Sequence, residues 1–248
     1  MERVTLNLFG GFTARRRAGG AIVLPRRKAK ALLAYLALPA GRSCPRESLT
    51  ALLWGDVPEN QARHSLRQTL LDLRRALPDG RTPTILAEGD SLALNPERVE
   101  VDVAAFEALA GRDTRRDLAR ATALYAGDLL AGLALREPPF EDWLRSERDR
   151  LRESALRALR RLLAAETAAA DLETAVQTAM RVLAIDPLNE AAHRALMDLY
   201  RRLGRRSAAL RQYQLCADLL QRELGIAPET ETRCLYERLA PGAAALRP

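Results

Sequence analysis

The chain has 248 residues, of which 48% are hydrophobic and 29% charged, and its formal net charge is +7. Apolar runs never reach the roughly 18 residues of a membrane-spanning helix, and three widely spaced cysteines provide neither a disulfide framework nor a metal site. We therefore expect a cytoplasmic protein with no membrane contact and no cofactor. The length is sufficient for two modest hydrophobic cores.

The positive charge is concentrated in the first part of the chain. Residues 1–96 contain 15 Lys and Arg against 8 Asp and Glu, whereas residues 97–248 contain 24 of each kind. Neutralising phosphates and releasing their counterions is the main source of affinity for nucleic acids. The asymmetry predicts a polyanion-binding module that is followed, from about residue 97, by an electrically balanced one.

Short strand patterns occur at both ends of the basic part. Apolar and polar residues alternate over 4–9, and the stretches 12–15 and 22–24 are predicted to be its partners in a small antiparallel sheet. Residues 84–88 and 91–94 flank a Gly-Asp pair, which is the pattern of a β-hairpin.

Three helices are predicted between these strands. The first runs from Pro25 to residue 38 and ends at the Pro-Ala-Gly sequence 39–41. The second covers about 45–54, with Ser43 as its N-cap. The third covers 59–77. Strands, three helices and a hairpin in this order predict a winged helix-turn-helix with an additional N-terminal sheet.

The third helix is strongly amphipathic. At about 100° per residue, its leucines at 66, 70, 73 and 77 share one narrow sector. Three arginines lie on the shoulders of the helix, where long side chains can reach phosphates: Arg63, Arg67 and Arg74. The side chains predicted to point outward are His64, Gln68, Leu71, Asp72 and Arg75. Such a face suits a DNA groove, although an ordinary solvated surface helix has the same pattern.

The outward residue types match the edges of DNA bases. Gln68 can pair with adenine, Arg75 or Arg67 with guanine, and Leu71 can touch a thymine methyl group. Asp72 is unfavourable near phosphates unless it accepts from a cytosine amino group or pairs with Arg75 at i+3.

Another basic cluster, 26–28, lies at a helix N-terminus, where cations oppose the helix dipole. Either a nearby anion, such as phosphate, or simple solvation would offset this.

From residue 101 to 239 the pattern is almost entirely helical, with a weak tetratricopeptide-like repeat. Ala175 stands twelve positions before Pro187, and the following period has apolar, aromatic, glycine and alanine residues at 196, 200, 204 and 209. The predicted fold class is therefore α+β followed by all-α: an N-terminal winged helix-turn-helix and a tetratricopeptide-like helical domain.

Six motifs make nearly the whole chain resemble the Streptomyces antibiotic regulatory protein type of transcriptional regulator. They are 26–36 (RRKAKALLAYL), 53–56 (LWGD), 65–68 (SLRQ), 73–77 (LRRAL), 186–193 (DPLNEAAH) and 224–228 (LGIAP). The resemblance implies an OmpR/PhoB-type winged-helix DNA-binding domain over 1–97 and a bacterial transcriptional activator domain over 98–248.

In the OmpR/PhoB type, the helix 59–77 would enter the major groove and the hairpin would approach the neighbouring minor groove. The same resemblance makes the connection 54–60 a place where RNA polymerase is contacted, with Asp56 and Glu59 exposed for that purpose. A turn in which Trp54 anchors the core is the alternative. We expect no phosphoacceptor receiver domain before the winged helix.

The sequence contains no pattern typical of an enzyme. The two histidines are His64, on the outward face, and His193, which we expect to be a packed helix residue. The glycine pairs lack the spacing of a phosphate-binding loop.

The main hypothesis is a transcriptional activator that binds double-stranded DNA and self-associates or binds partners through its helical domain. A homodimer is expected on DNA, and RNA polymerase is expected as a further partner. Two alternatives remain: a helical-repeat adaptor for protein interactions, and the N-terminal regulatory part of a larger ATPase or cyclase.

Overall fold

The computed structural model describes residues 3–38, 42–78 and 82–240. The predicted helix stop at 39–41 and the turn at 79–80 lie outside these ranges. The chain divides into two compact units: residues 1–112 with 120–153, and residues 113–119 with 154–248. Position 97, where the charge distribution changes, lies inside the first unit, because the segments 98–112 and 120–153 group with the N-terminal part.

Strands occur only before residue 102 in the elements that the structure describes, apart from one isolated bridge between Phe9 and Leu129. In chain order the elements are β1 (Val4–Asn7), β2 (Thr13–Arg16), α1 (Arg27–Ala37), β3 (Cys44–Pro45), α2 (Arg46–Trp54), α3 (Glu59–Ala76), β4 (Ile85–Glu88), β5 (Ser91–Leu94), β6 (Val99–Val101), α4 (Asp102–Ala110), α5 (Arg115–Leu124), α6 (Pro138–Ala168), α7 (Leu172–Ile185), α8 (Glu190–Arg202), α9 (Arg206–Leu224) and α10 (Thr230–Leu239).

The N-terminal sheet differs from the sequence prediction in its third strand. Strand β1 pairs antiparallel with β2, as predicted, but its other neighbour is β6, which runs parallel to it. The predicted strand 22–24 is wrong: only Ala21 forms a bridge, to Arg15, and the amide of Ile22 donates to the carbonyl of Ala14. Pro25 follows at once and the chain turns into α1, so no longer ladder forms.

A buried carboxylate connects this sheet to α4. One oxygen of Asp102 accepts hydrogen bonds from the backbone amides of Leu8 and Phe9, at 2.8 and 3.0 Å, and the other accepts from Val103. Burial nevertheless raises the pKa of Asp102, because desolvation outweighs these hydrogen bonds.

A second sheet, in the order β3-β5-β4, contains the hairpin, which the antiparallel register of β4 and β5 confirms. Because Cys44 and Pro45 pair with β5, the backbone is extended until α2 begins at Arg46. The N-cap residue of α2 is therefore Pro45, without a side-chain hydrogen bond, and the prediction of Ser43 was wrong.

Helices α1 and α3 bury the apolar stripes that the sequence predicts. Ala29, Leu32, Leu33 and Leu36 of α1 are at most 1% exposed. Leu66, Leu70 and Leu73 of α3 are also buried, and Leu77 follows the helix in the same core. Both helices contact α2 and each other, so the outer face of α3 is held on a rigid base.

The helical prediction beyond residue 101 is confirmed. Helix α7 packs on α8, α8 packs on α9, and α10 packs on both α8 and α9. The predicted repeat positions Ala175 and Leu196 lie in one buried cluster, against which Tyr200 packs. Gly204 has a φ of 72°, the left-handed conformation that lets the chain turn from α8 into α9.

Candidate nucleic-acid interface

Helix α3 presents one continuous polar face to solvent. It begins at Glu59, as predicted, and ends one residue earlier than predicted, at Ala76. Seven of the eight predicted contact residues are exposed, and Asp72 is half-buried. Leu71 is 42% exposed, an unusual solvent contact for a leucine whose neighbours at 70 and 73 are buried. The exposed residues are Arg63, His64, Arg67, Gln68, Leu71, Arg74 and Arg75.

The partner of Asp72 is not the one that helical spacing suggested. Its carboxylate lies 3.2 Å from the guanidinium of Arg26, which immediately precedes α1, and it has no ion pair with Arg75. The carboxylate that faces outward from α3 is thus partly neutralised by a cation from another element. The sequence could not show this pair, because 46 positions separate its members.

The basic cluster at the start of α1 is balanced by carboxylates of the protein itself. Arg26 contacts Asp72, and Lys28 donates to the buried Glu137 at 2.5 Å. The chain therefore supplies its own anion for two of the three cations, Arg26 and Lys28. For these two residues, the phosphate and the simple-solvation interpretations were both wrong. Arg27, also in the cluster, is exposed and has no ion pair among the described residues.

A groove lies between the first turn of α2, the first half of α3 and the tip of the hairpin. Its volume is about 560 Å³, and three arginines line it together with three acids. Arg63 forms an i, i+4 ion pair with Glu59, and the Nε of Arg46 lies 3.8 Å from a carboxylate oxygen of Asp90. Arg67 lines the same groove. The lining residues are Arg46, Glu47, Thr50, Glu59, Asn60, Arg63, Leu66, Arg67 and Asp90.

The arginines around α3 therefore fall into two sets. Arg67, Arg74 and Arg75 have no ion pair within the described ranges, whereas Arg26, Arg46 and Arg63 each have a carboxylate partner. An unpaired guanidinium keeps all five donors for a phosphate or a guanine edge. Neither Arg46 nor Asp90 could be recognised from the sequence as a site residue, because their pairing depends on how the hairpin meets α2.

The hairpin tip is attached to the start of α2 through the backbone. The amide of Arg46 donates to the carbonyl of Asp90 at 2.9 Å, and the turn residue Gly89 has a φ of 56°. Asp90 itself is 84% exposed at its side chain, so the tip projects into solvent next to the groove.

The connection between α2 and α3 has one buried anchor and two exposed acids. Trp54 is 7% exposed, and the ammonium of Lys28 lies 5.3 Å from the centroid of its ring. Such a position over an aromatic face is typical of a cation–π contact. Asp56 and Glu59 are exposed, as predicted. Glu59 pairs with Arg63, whereas Asp56 has no ion pair with any described residue.

His193 occupies a structural position. It is 1% exposed, its Nε2 lies 3.0 Å from the carbonyl of Pro187, and its Nδ1 lies 2.6 Å from the amide nitrogen of Gln212. A carbonyl only accepts, so Nε2 carries the proton and Nδ1 accepts from Gln212, which is the neutral form of the ring. Burial lowers the pKa of His193 in agreement with this assignment.

Among the described residues, no group of three or more His, Cys, Asp or Glu is arranged to hold a metal ion. None of the described helices is both long and apolar enough to cross a membrane.

Residues 96–240 match the family model of the bacterial transcriptional activator domain. The match covers more than half of the chain, which therefore belongs to this family of transcription regulators.

The chain is also similar to the regulatory protein AfsR of Streptomyces griseus, with 28% identity over 221 residues, and to AfsR of Streptomyces coelicolor, with 31% identity over 229 residues. These alignments cover 85% and 88% of this chain but only 22% of each relative. The chain thus spans less than a quarter of the length of either AfsR protein.

Among solved structures, the fold is similar to that of Mycobacterium tuberculosis EmbR in complex with a low-affinity phosphopeptide. The TM-score is 0.71 at 22% identity, and the alignment covers 96% of this chain and 65% of the EmbR chain. At this identity the similarity concerns the fold alone.

Proposed function

We propose that the chain is a DNA-binding transcriptional activator of the Streptomyces antibiotic regulatory protein type. Residues 1–97 form its OmpR/PhoB-type winged helix, and residues 98–248 form its activator domain. Helix α3 reads the major groove, and the β4–β5 hairpin serves as the wing that approaches the minor groove. The order of three helices and a hairpin supports the assignment of the N-terminal part, and the family match over 96–240 supports that of the activator domain.

One observation carries the proposal: α3 buries Leu66, Leu70 and Leu73 on the side of α1 and α2. Its exposed surface carries Gln68 and three arginines that have no ion pair among the described residues. A helix that is anchored on one side and has amide and guanidinium donors on the other fits the dimensions and hydrogen-bonding pattern of the major groove. The excess of positive charge before residue 97 supports the same conclusion.

Individual roles follow from position. Gln68 reads adenine, Arg75 or Arg67 reads guanine, and Leu71 contacts a thymine methyl group. Arg74 and Arg63 hold the backbone phosphates, Arg63 after release from Glu59. Asp72 contacts no phosphate, because Arg26 holds it. His64, exposed on the first half of α3, borders this contact surface.

For activation, Asp56 is the residue that we propose to contact RNA polymerase. It is exposed, it lies in the connection that Trp54 anchors, and no described cation pairs with it. Glu59 is the second member of this contact surface, although its pairing with Arg63 ties it to the groove.

We further propose that two copies associate on repeated half-sites, since winged-helix and related activators commonly bind such sites as dimers. Sedimentation of the protein with a duplex that contains two half-sites tests this point. Two cooperatively bound copies are the expected result, and one copy per duplex without cooperativity would contradict it.

The experiment that tests the proposal is selection of bound duplexes from a random-sequence pool by the purified chain. We expect enrichment of one motif, bound at least about 1,000-fold more tightly than random duplex at the same salt concentration. If the chain binds no duplex even at low salt, the adaptor hypothesis replaces this one. Enrichment is also the expected result if the chain is the N-terminal regulatory part of a larger ATPase or cyclase, because that alternative keeps the DNA-binding role.

A further inference from the structure

Three arginines next to the outer face of α3 have intramolecular carboxylate partners. The pairs are Arg63 with Glu59, Arg26 with Asp72, and Arg46 with Asp90, and they come from four different parts of the chain. The pairs Arg63–Glu59 and Arg46–Asp90 line the same groove as Arg67, which has no ion pair among the described residues. Each pair combines a cation that could reach a phosphate with an anion that competes for it.

Each pair has at least one largely exposed member. The side chains of Arg63 and Glu59 are 63% and 70% exposed, and those of Arg26 and Asp90 are 63% and 84% exposed, whereas their partners Asp72 and Arg46 are 32% and 28% exposed. Exposed ion pairs are screened by solvent and contribute little to folding stability. Stability therefore does not account for three such pairs around one helix.

Competition with phosphate does account for them. Binding to random DNA depends almost entirely on phosphate contacts, and each contact that first requires release of a carboxylate contributes less. In a non-specific complex a freed arginine finds a phosphate in any register. In a specific complex the base contacts fix the register, so that a freed arginine gains a phosphate contact only if it faces a phosphate in that register.

We propose that Glu59, Asp72 and Asp90 determine selectivity by occupying Arg63, Arg26 and Arg46, and thereby suppress binding to random DNA. This inference rests on the proposed DNA-binding function. It assigns the three carboxylates a role that is opposite to direct base recognition, and it makes Asp72 a specificity residue that does not touch cytosine.

The test uses the full chain with the three substitutions Glu59→Gln, Asp72→Asn and Asp90→Asn, and a fluorescent random-sequence duplex titrated at several salt concentrations. We expect affinity for this duplex to rise on the order of tenfold at low salt. The slope of log K against log salt should steepen by about 0.9 for each arginine that is freed. The duplex recovered by selection should gain less, so that the ratio of the two affinities falls.

Asp142→Asn is the matched control, because Asp142 is an exposed carboxylate that pairs with Arg145 on α6. It changes the net charge of the chain by the same amount as each single substitution. If this variant gains as much random-DNA affinity as Glu59→Gln does, net charge explains the effect and the proposal is wrong.

A double-mutant cycle separates release of an arginine from removal of a repulsive charge. The gain caused by Glu59→Gln should disappear in an Arg63→Ala background, and a gain that survives there would overturn the proposal. A second outcome would also overturn the proposal. It is an unchanged affinity of the triple variant for random DNA, when the circular dichroism spectrum of the variant is unaltered and the wild-type chain binds its selected duplex. If neither wild type nor variant binds any duplex, the proposed function itself fails.

Discussion

Side chains on α3 that look equivalent in sequence differ in whether they have an intramolecular partner. Gln68 and Arg75 are exposed, and neither side chain has a hydrogen-bond or ion-pair partner among the described residues, so both remain available to base edges. Alanine at either position should cost about 1 to 3 kcal/mol on the selected duplex and relax the preference at one base pair. Equilibrium titration against that duplex and its single-base variants measures both effects. Arg145→Ala, at an exposed position on α6, is the control and should change neither.

Arg74 lies on the shoulder of the same helix and has no ion pair within the described ranges. Its replacement by Ala should weaken binding to selected and random duplexes alike and reduce the salt slope by about one unit. Salt titrations on both duplexes provide the measurement. Loss confined to the selected duplex would instead make Arg74 a base-reading residue.

The buried ring of His193 should make the free energy of unfolding depend on pH. Burial lowers its folded-state pKa below the ordinary 6.5, and the charged or polar groups facing it are Asp186, Glu190 and Gln212. Below pH 6.5 the unfolded chain takes up the proton more readily than the folded chain does, so the stabilising contribution of the neutral ring is lost as pH falls. Urea unfolding between about pH 5 and pH 8 should show this loss. His193→Gln should reduce it, and an unchanged pH dependence in that variant would contradict the assignment.

At the scale of elements, α1 is fixed by an ion pair in its first turn as well as by its buried apolar stripe. The carboxylate of Glu137 is 5% exposed, and Lys28 is its ion-pair partner. Lys28 contacts Oε1 of Glu137, and Oε2 of the same carboxylate is buried without a hydrogen bond among the described residues. Removing one member of a buried pair leaves an uncompensated charge, whereas removing both does not.

Lys28→Met should therefore lower the free energy of unfolding by about 3 kcal/mol, the lower end of the range for buried pairs because Lys28 is 32% exposed. The double variant Lys28→Met, Glu137→Gln should recover part of this loss. Urea denaturation of the three chains is the measurement. Equal stability of Lys28→Met and wild type would show that the pair is not effectively buried.

The elements that sequence predicted correctly are those with a local signal. Helix α3 was predicted to within one residue because its leucines repeat at helical spacing, and the hairpin was recognised from its Gly-Asp turn. The parallel pairing of β1 with β6 was missed, since these strands are more than 90 positions apart and no pattern in either specifies the other. The ion pairs of Asp72 and Asp90 were missed for the same reason.

At the scale of the whole molecule, charge and family membership divide the chain at nearly the same place. The excess of positive charge ends near residue 96, and the match to the bacterial transcriptional activator domain begins there. The two compact units of the structure are divided at other positions, because residues 98–112 and 120–153 group with the N-terminal part. The sequence thus predicted the change in chemistry, whereas the grouping of segments depends on tertiary packing that composition does not encode.

The proposed function requires α3 to lie in the major groove and the hairpin in the adjacent minor groove. Methylation interference on the selected duplex tests it directly, because methylation marks guanine N7 in the major groove and adenine N3 in the minor groove. We expect interference from guanine N7 within the recognised motif and from adenine N3 at its flank. Interference from adenine N3 alone, or from neither position while binding remains sequence-specific, would contradict the account.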